Sequence, residues 1–480
     1  MKKLDITKLT AIEMREKLIG KEISSREIVN AHLEIIDKKE KNINAFITIT
    51  EEEALNKADE IDKKIKNGEK LGPLAGIPLG IKDNIITKDI KTTCGSKMLK
   101  DFIPPYDATV IEIIKNADGI IIGKNNMDEF AMGSYTETSY FGHTKNPLDL
   151  ERTPGGSSGG SAAGVAAYEI PLSLASDTGG SIRQPAAFCG LVGIKPTYGL
   201  VSRYGLVSFG NSLDQIGVIG RNVEDTALLL DTIIGYDKKD STSMKGKENL
   251  LEGLSVNIQG LKIAIPKELF NMEIDEEIRK IMKNSIKIFE KLGANIEEIS
   301  MSHIKYSSAT YNIISNVEAS SSLSRFDGIR YGYRTEKHNT LDELYKNTRG
   351  EGLGWETKKR ILAGNYYLTR GNREKYYNKA VKLRSLIIDD FENAYEDYDI
   401  ILTPMSSVLP PKLGENDYSN IFTASVNLCG LPAISIPAGF VSGLPVGVQL
   451  IGDKFEELKL LNAALAFERS LSFGGEENEI

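Results

Sequence analysis

Short apolar runs bounded by glycine and proline begin at Leu74, and they restrict the fold of this chain more than any other feature of the sequence. Examples are GIPLGIKD, GIIIGKNN and YEIPLSLASD, and similar runs return near the C-terminus as DIILTP, AISIP and VGVQLIG. Runs of this length between turn-forming residues are typical of buried strands, and the segments between them have helical periodicity. The sequence therefore predicts an α/β fold, a single large domain with a mixed central β-sheet covered by helices on both faces.

Three segments divide this predicted domain. Residues 1–70 are expected to form N-terminal helices that pack on the core. Residues 71–235 hold the glycine-rich runs and are predicted to contain the site. Residues 236–480 complete the same domain, and they include a helical insertion at about 305–398.

The charge balance and the cysteines exclude several classes of protein. A formal net charge of −8 argues against a broad phosphate-binding surface on this chain. Cys94, Cys189 and Cys429 are far apart and odd in number, so neither a disulfide framework nor a CxxC metal site is predicted. No apolar run reaches the roughly 18 residues of a membrane span, and the N-terminus lacks the apolar segment of a signal peptide. We expect a cytoplasmic protein with no metal site in this chain.

Two serine-glycine clusters, TPGGSSGGSAAGVAA and SDTGGSIRQPAA, lie within residues 153–193. Glycine lets backbone N–H groups approach a ligand closely, as an oxyanion hole requires. Tight turns with small-residue packing would be the structural alternative, but two such clusters in one short region favour catalysis. A phosphate-binding loop is excluded, because the spacing of Gly155 and Gly160 is followed by Ser161 and not by lysine.

A nucleophilic serine in these clusters needs a base, and none of the four histidines lies near them. Lys82, at the end of the predicted strand in GIPLGIKDNI, is the candidate. An ordinary lysine is protonated at neutral pH, but burial without a paired carboxylate lowers its pKa. Lowering that pKa to about 7 costs roughly 4–5 kcal/mol, so the site must exclude water. Asp83 follows directly, but on a strand its side chain would point to the opposite face. A surface lysine is the alternative interpretation.

The segments GIPLGIKDN, TPGGSSGGSAA and SDTGGSIRQPA together resemble the amidase signature family, whose members use a Ser–Ser–Lys triad. The resemblance implies that Ser181 is the acyl-forming nucleophile, that Ser157 is the bridging serine, preceded by a cis peptide, and that Lys82 is the base. It also assigns the oxyanion hole to four backbone N–H groups, those of Thr178, Gly179, Gly180 and Ser181.

Further motifs resemble one branch of that family, the glutaminase subunits of tRNA-dependent amidotransferases. They include GKNNMDEFAMGSYTE, FCGLVGIKPTYGLVSRYGLVSF, EASSSLSRFDGIRYG and NLCGLPAISIP, and the resemblance runs from near residue 5 to about residue 470. It implies glutamine hydrolysis in this chain, which would form a heterotrimer with two partners, the B and C subunits of the amidotransferase. The B subunit would receive the ammonia and use ATP and Mg²⁺ to amidate Glu-tRNA(Gln). The tRNA would be contacted mainly through the partner.

The resemblance also implies how the glutamine substrate is recognised, through a Tyr, an Arg and an Asp. Tyr311 in SSATYNIISNVEAS and Arg360 in TKKRILAGNYYLT match the first two, and the arginine would pair bidentately with the α-carboxylate. The third position is Asn420 in YSNIFTASVNLCGLP, where the family usually has aspartate. This departure predicts weaker glutamine binding unless Asp417 or another carboxylate compensates. Asn312, where the family often has a second aromatic residue, is a smaller departure.

Two alternatives remain open from the sequence. The first is a stand-alone amidase with the same triad, acting on another small amide, and the departure at Asn420 favours it. The second is a non-catalytic subunit, which the glycine-flanked Lys82 argues against, because a scaffold needs no lysine whose burial is costly. The four histidines and Trp355 are assigned no role.

Overall fold

The computed structural model of the protein describes residues 5–246, 249–415 and 419–472, and its strands form one sheet of 11 strands. The strands are β1 Phe46–Ile49, β2 Pro78–Lys82, β3 Ile120–Asn125, β4 Leu172–Asp177, β5 Val192–Lys195, β6 Gln215–Gly220, β7 Lys262–Pro266, β8 Asn295–Ile299, β9 Ile400–Pro404, β10 Ala433–Val441 and β11 Leu444–Gly452. Their order across the sheet is β1-β3-β2-β4-β6-β5-β10-β11-β9-β7-β8. The predicted mixed α/β architecture is confirmed.

The direction of the strands places several functional residues at one edge. Strand β2 pairs in parallel with both β3 and β4, so the carboxyl ends of all three meet at the same edge of the sheet. These ends carry Lys82, Asn125 and Asp177. Ligands bind outside the carboxyl ends of parallel strands in α/β sheets, and the site of this chain lies there.

Helices cover both faces of the sheet. They are α1 Ala11–Ile19, α2 Ser25–Ile43, α3 Glu51–Asn67, α4 Thr109–Asn116, α5 Gly159–Ala166, α6 Arg183–Phe188, α7 Val223–Ile233, α8 Lys267–Phe270, α9 Glu276–Lys291, α10 Ser307–Ser322, α11 Leu341–Gly352, α12 Trp355–Leu368, α13 Asn378–Tyr395, α14 Ile421–Cys429 and α15 Glu457–Ser472. Among the described residues, no helix combines the length and the apolar character that a membrane crossing requires.

Alternation along β3 shows how the sheet divides the core into two layers. Ile121 belongs to the large hydrophobic cluster on one face, whereas Ile120 and Ile122 belong to the cluster formed with α2 and α3 on the other. Successive side chains of a strand point to opposite faces, so a continuous apolar run is buried on both sides. This explains why the strands appear in the sequence as apolar runs.

The N-terminal segment differs from its prediction at one point. Helices are expected throughout residues 1–70, but Phe46–Ile49 forms β1, which pairs antiparallel with β3 at the edge of the sheet. Its sequence FITI is rich in β-branched residues, which favour strands. A run of four residues is too short to show a periodicity. The sequence alone therefore does not distinguish this strand from the helices on either side of it.

The helices α10 to α13 lie between β8 and β9, in the segment predicted as an insertion. A third hydrophobic cluster joins this segment to the loops that follow β2 and β3. Ile361 of α12 and Leu323 after α10 pack there with Met98 and Phe130. The insertion is therefore fixed against the same edge of the sheet that carries Lys82.

Candidate active site

Lys82, the last residue of β2, is fully buried and reaches into the serine-glycine region. Its Nζ lies 2.8 Å from Ser157 Oγ, 2.7 Å from Ser158 Oγ and 3.1 Å from the carbonyl oxygen of Ser176. None of these three partners carries a charge. Burial lowers the pKa of Lys82 to about 7, although the nearby carboxylate of Asp128 opposes the shift. A substantial fraction of the molecules therefore has a neutral amine at Lys82 at neutral pH.

Ser157 and Ser158 immediately precede α5, and the peptide between Gly156 and Ser157 is cis. Gly156 must be glycine, because a Cβ atom there would lie 2.3 Å from Asp128 Oδ2. The sequence predicts only Ser157 as a partner of Lys82. The structure adds Ser158, whose hydroxyl accepts from Lys82 and donates to the carbonyl of Ser176 at 3.1 Å.

Ser181 lies in the turn between β4 and α6, and a buried ion pair fixes this turn. Asp177 accepts from the backbone N–H of Gly180 at 2.7 Å and of Ile182 at 3.1 Å. Arg183 donates to both oxygens of the same carboxylate at 3.0 Å. Burial alone would raise the pKa of Asp177, but the Arg183 guanidinium outweighs it and holds this pKa well below its usual range. Charge-assisted hydrogen bonds therefore hold the turn in place without a substrate.

The predicted oxyanion hole needs one correction. The N–H of Gly180 is already donated to Asp177, so in this structure it is not directed at a bound acyl group. The assignment of the other three N–H groups stays a prediction. Their loop is well anchored, because Thr178 Oγ1 donates to the buried carboxylate of Asp214 at 2.6 Å and Thr423 Oγ1 donates to the carbonyl of Gly179 at 2.6 Å.

A cavity of about 280 Å³ opens above Ser181. The structure brings to it all three residues predicted to recognise the substrate, although they come from three different helical segments. Tyr311 lies on α10, Arg360 on α12, and Asn420 just before α14. The cavity is lined by Ala131, Gly133, Ser134, Gly156, Gly179, Gly180, Ser181, Phe209, Ser308, Tyr311, Asn312, Arg360, Ser419 and Asn420.

Each of these three side chains has neighbours that orient it. Arg360 Nε donates to Glu356 at 3.0 Å, one helical turn away, and its guanidinium lies 5.5 Å from the centre of the Phe209 ring. The Oδ1 atom of Asn420 accepts from Ser308 Oγ at 2.7 Å. The ring of Tyr311 lies against Gly179, where a Cβ atom would approach the ring to 2.5 Å. Asp417, named as a possible compensating carboxylate, lies outside the described residues.

Glu129 is a supporting residue that sequence reasoning missed. This carboxylate accepts from the N–H of Gly354 at 2.8 Å and from Thr357 Oγ1 at 2.6 Å, which caps the N-terminus of α12. The helix that carries Arg360 is therefore anchored to the segment after β3. Gly354 and Glu129 are 225 residues apart in the sequence. No local pattern indicates a cap supplied from such a distance.

The groups that converge at this site are not those of a metal centre. In the ranges 5–246, 249–415 and 419–472, no three His, Cys, Asp or Glu side chains come together as a metal site would require. The reactive groups that do converge are one amine and several hydroxyls, together with backbone N–H groups. This set of groups is suited to acyl transfer through a serine ester.

Comparison with known proteins extends these observations. The family model described as Amidase matches residues 27–461. In Clostridium acetobutylicum, the glutamyl-tRNA(Gln) amidotransferase A subunit numbered 2 is 52% identical over 476 residues, which cover 97% of this chain and 100% of that protein. The glutamyl-tRNA(Gln) amidotransferase A subunit of Geobacillus thermodenitrificans is also 52% identical, with 97% of each chain covered.

Solved structures agree on the fold. The crystal structure of the glutamyl-tRNA(Gln) amidotransferase A subunit from Thermotoga maritima superposes with a TM-score of 0.80 at 41% identity, covering 98% of this chain and 96% of that one. A bacterial aryl acylamidase of the amidase signature family superposes with a TM-score of 0.86 at 26% identity, covering 96% of each chain. The fold is thus shared by enzymes that act on different substrates. Sequence identity, and not the fold, distinguishes the amidotransferase A subunits from the aryl acylamidase as relatives of this chain.

Proposed function

Because this chain belongs to the amidase family, we propose that it hydrolyses glutamine as the ammonia-producing subunit of a tRNA-dependent amidotransferase. The proposal rests chiefly on the contacts of Lys82. The groups that contact its Nζ are all uncharged, which favours a neutral amine next to Ser157. Identity of 52% to A subunits of glutamyl-tRNA(Gln) amidotransferases over nearly the whole chain supports glutamine as the substrate. The stand-alone amidase alternative is not favoured, because the aryl acylamidase is only 26% identical.

The contacts of Lys82 indicate the direction in which protons move. Ser158 donates to the Ser176 carbonyl, so its oxygen accepts one N–H of the amine, and the carbonyl accepts the other. In the structure, Lys82 Nζ donates to Ser157 Oγ at 2.8 Å. In the neutral amine the remaining lone pair faces Ser157, so the hydroxyl of Ser157 donates to Nζ across the same contact. Ser157 is in turn free to accept the proton of the nucleophile, Ser181.

In the first half of the reaction, Ser181 Oγ attacks the side-chain amide carbon of glutamine. Its proton passes to Ser157, whose own proton passes to Lys82. Collapse of the tetrahedral intermediate breaks the C–N bond, and the departing nitrogen takes the proton back through Ser157 and leaves as ammonia. The backbone N–H groups of Thr178, Gly179 and Ser181 stabilise the oxyanion in this step, and a single such donor is worth about 3–4 kcal/mol.

In the second half, water attacks the γ-glutamyl ester of Ser181. Lys82, again neutral, receives the water's proton through Ser157. The ester C–O bond breaks, the Ser181 oxygen regains a proton along the same path, and glutamate leaves. Arg360 pairs with the α-carboxylate during both halves, while Tyr311 and Asn420 bind the α-amino end. Atoms and charges balance with water as the only added reactant.

The remaining steps belong to the two partners in the heterotrimer, the B and C subunits. The ammonia passes to the B subunit, where it amidates the γ-carboxyl of Glu-tRNA(Gln) after activation by ATP and Mg²⁺. This chain itself uses no cofactor, and the tRNA is held mainly by the B subunit. The formal net charge of −8 on this chain is in keeping with that division. We place the complex in the cytoplasm, where aminoacyl-tRNA is used.

Ammonia release from glutamine, by this chain alone and after addition of both partner subunits, tests the proposal. We expect release that appears or rises strongly on assembly and disappears in Ser181→Ala. Hydrolysis of simple amides with no action on glutamine in either state would overturn the proposal in favour of a stand-alone amidase. An active Ser181→Ala variant would instead refute the assigned nucleophile.

A further inference from the structure

Asp128 follows β3 by three residues, is fully buried, and takes no part in the reaction steps described above. Its carboxylate accepts five hydrogen bonds from the turn at residues 135–138. Oδ2 accepts from the backbone N–H of Tyr135 at 3.3 Å and of Thr136 at 2.9 Å. Oδ1 accepts from the N–H groups of Glu137 and Thr138 at 3.2 Å and from the Thr138 hydroxyl at 2.9 Å. All five donors are uncharged, and acceptance at both oxygens indicates an ionised carboxylate.

The same residue contacts the segment that carries the bridging serine. The N–H of Asp128 donates to the carbonyl oxygen of Ser157 at 3.2 Å, and Ser157 Oγ lies 2.8 Å from Lys82 Nζ. The carboxylate also packs on two glycines. A Cβ atom would lie 2.3 Å from its Oδ2 at Gly156 and 2.2 Å from its Cγ at Gly133. Asp128 therefore joins the Ser157 segment to the segment that begins at Gly133.

These two segments form part of the wall of the substrate cavity. Gly133 and Ser134 line it from one segment, and Gly156 lines it from the other. Gln184 bridges the same two segments, because its Oε1 accepts from the N–H of Gly156 at 2.9 Å and its Nε2 donates to the carbonyl of Ser134 at 3.1 Å. The bonds of Asp128 thus fix the base side and the substrate side of the cavity relative to each other.

The backbone between Asp128 and Gly133 is strained. Phe130 and Ala131 have φ angles of 51° and 61°, in the left-handed region that residues other than glycine rarely adopt. Such strain persists only where surrounding contacts enforce it, and it is concentrated at functional sites. The hydrogen bonds from residues 135–138 to Asp128 close this strained loop and supply such contacts.

Asp128 also acts on the base through its charge. Burial lowers the pKa of Lys82, and among the charges that oppose this shift that of Asp128 has the largest effect, ahead of Asp177 and Asp214. Asp177 is already paired with a guanidinium. The Cys94 thiol is a further neighbour, and burial raises its pKa well above the ordinary value, so this thiol is uncharged.

We propose that Asp128 is a positioning residue of the amidase site, which holds Ser157 against the cavity wall and stabilises the ammonium form of Lys82 by its charge. During acyl transfer Lys82 gains a proton in a site that excludes water. A fixed carboxylate nearby lowers the cost of that step without touching the substrate. The inference rests on the proposed function, because it takes Lys82 to be the base.

Replacing Asp128 by asparagine removes the charge at almost constant volume, and the complex with both partner subunits is the sample. We expect Asp128→Asn to lower the plateau of kcat/KM for glutamine by about 10-fold to 100-fold. The acid limb of the profile should also move by about one unit to lower pH, because the pKa of Lys82 falls further without this carboxylate. Ammonia release between about pH 5 and 9 measures both effects. A purely structural carboxylate would leave the acid limb in place.

Asp225→Asn is the matched control for the loss of a buried carboxylate. Asp225 lies on α7 and accepts from the N–H groups of Ala11 at 2.8 Å and Ile12 at 3.1 Å, at the first turn of α1. It holds a helix end and not the cavity wall. We expect this variant to lower the stability of the chain and to leave the acid limb where it is in the wild type.

Gly133→Ala tests the position of the carboxylate while its charge is kept. The added methyl group has to displace the carboxylate of Asp128, so kcat/KM should fall at least tenfold, with a smaller shift of the acid limb than in Asp128→Asn. This variant also serves if Asp128→Asn does not fold. An unmoved acid limb in Asp128→Asn, or wild-type kcat/KM in Gly133→Ala, would overturn the inference. A wild-type complex that releases no ammonia would instead count against the proposed function.

Discussion

Lys82 and Lys124 lie near the carboxyl ends of neighbouring parallel strands and are both fully buried, yet their surroundings are opposite in kind. In the register of β2 and β3, Lys124 is paired with Ile81 and not with Lys82, so the two lysines point to opposite faces of the sheet. Asp83 follows Lys82 and therefore shares the face of Lys124. Its carboxylate lies 3.6 Å from Lys124 Nζ, and it also accepts from Thr93.

The difference explains why Lys82, and not Lys124, is proposed as the base. Burial lowers the pKa of both amines, but for Lys124 the carboxylate of Asp83 opposes it, and for Lys82 the nearest partners are neutral. An opposite charge beside a buried amine favours its charged form, and removing one partner of such a pair is costly, whereas a buried amine among hydroxyls releases its proton more easily. One residue of register assigns the two lysines to these separate roles.

The strongest test of this comparison removes the amine of Lys82. The variant Lys82→Met should lower kcat/KM for glutamine by about 10²–10⁴, the usual contribution of a general base. Lys195→Met is the matched control, because burial also lowers the pKa of Lys195 to about 7, although this amine donates to the Pro196 carbonyl and does not contact the serines. Ammonia release by Lys82→Met at the rate of the wild-type chain would refute the role of Lys82 as the base.

The second test concerns stability at Lys124. The variant Lys124→Met leaves the carboxylate of Asp83 buried without its cation, and we expect the free energy of unfolding to fall by about 3–5 kcal/mol. Adding Asp83→Asn should restore part of that loss, because it removes the unpaired charge. Urea denaturation measures both effects. If Lys82→Met destabilised the protein as much as Lys124→Met, the contrast between the two sites would be wrong.

The dependence on pH sharpens the comparison. Because only neutral Lys82 accepts a proton and its pKa is about 7, kcat/KM should fall tenfold per unit as pH drops below 7 and should level off above it. The same pKa also predicts how stability depends on pH. The pKa of Lys82 is lower in the folded chain than its ordinary 10.5, so the unfolded chain binds more protons between these two values.

Stability contributed by position 82 should therefore rise with pH from about 7 to 10.5. The measurement is the difference in unfolding free energy between wild type and Lys82→Met across that range. A difference that stays constant with pH would show that Lys82 has an ordinary pKa in the folded protein. A kcat/KM profile that is flat below 7 would lead to the same conclusion.

The smallest expected effect comes from placing a charge in the cavity. Asn420→Asp introduces a carboxylate where the substrate's α-amino group is proposed to bind, and a charged acceptor is stronger than an amide by about 1 kcal/mol. We expect KM for glutamine to fall roughly threefold to tenfold. Glutaramate, which lacks the α-amino group, is the control substrate and should show no such gain. An unchanged KM for glutamine would remove Asn420 from the recognition site.

Much of the site was readable from local patterns. Alternation along a strand correctly separated Asp83 from Lys82, and the glycine-flanked setting correctly indicated a buried lysine. The paired serine-glycine clusters indicated where backbone and hydroxyl groups converge. Such patterns are informative because they depend on residues one or two positions apart, whose relative directions the backbone fixes.

Other parts of the site depended on contacts between distant segments. Ser158 as a second partner of Lys82, the cap that Glu129 places on α12, and the use of the Gly180 N–H by Asp177 had no distinct signal in the sequence. The same is true of β1, whose four residues become a strand only because β3 offers an edge for pairing.

The sequence by itself determined the α/β class, because that class follows from short-range periodicity. It also predicted the nucleophilic loop and a lysine base in place of a histidine, from residue chemistry together with the family resemblance. Only the tertiary structure decided which of the buried lysines has neutral partners and which has a carboxylate beside it. That difference depends on whether a carboxylate lies within a few ångströms of each amine. It is set by the register of β2 against β3 and by the serines that precede α5.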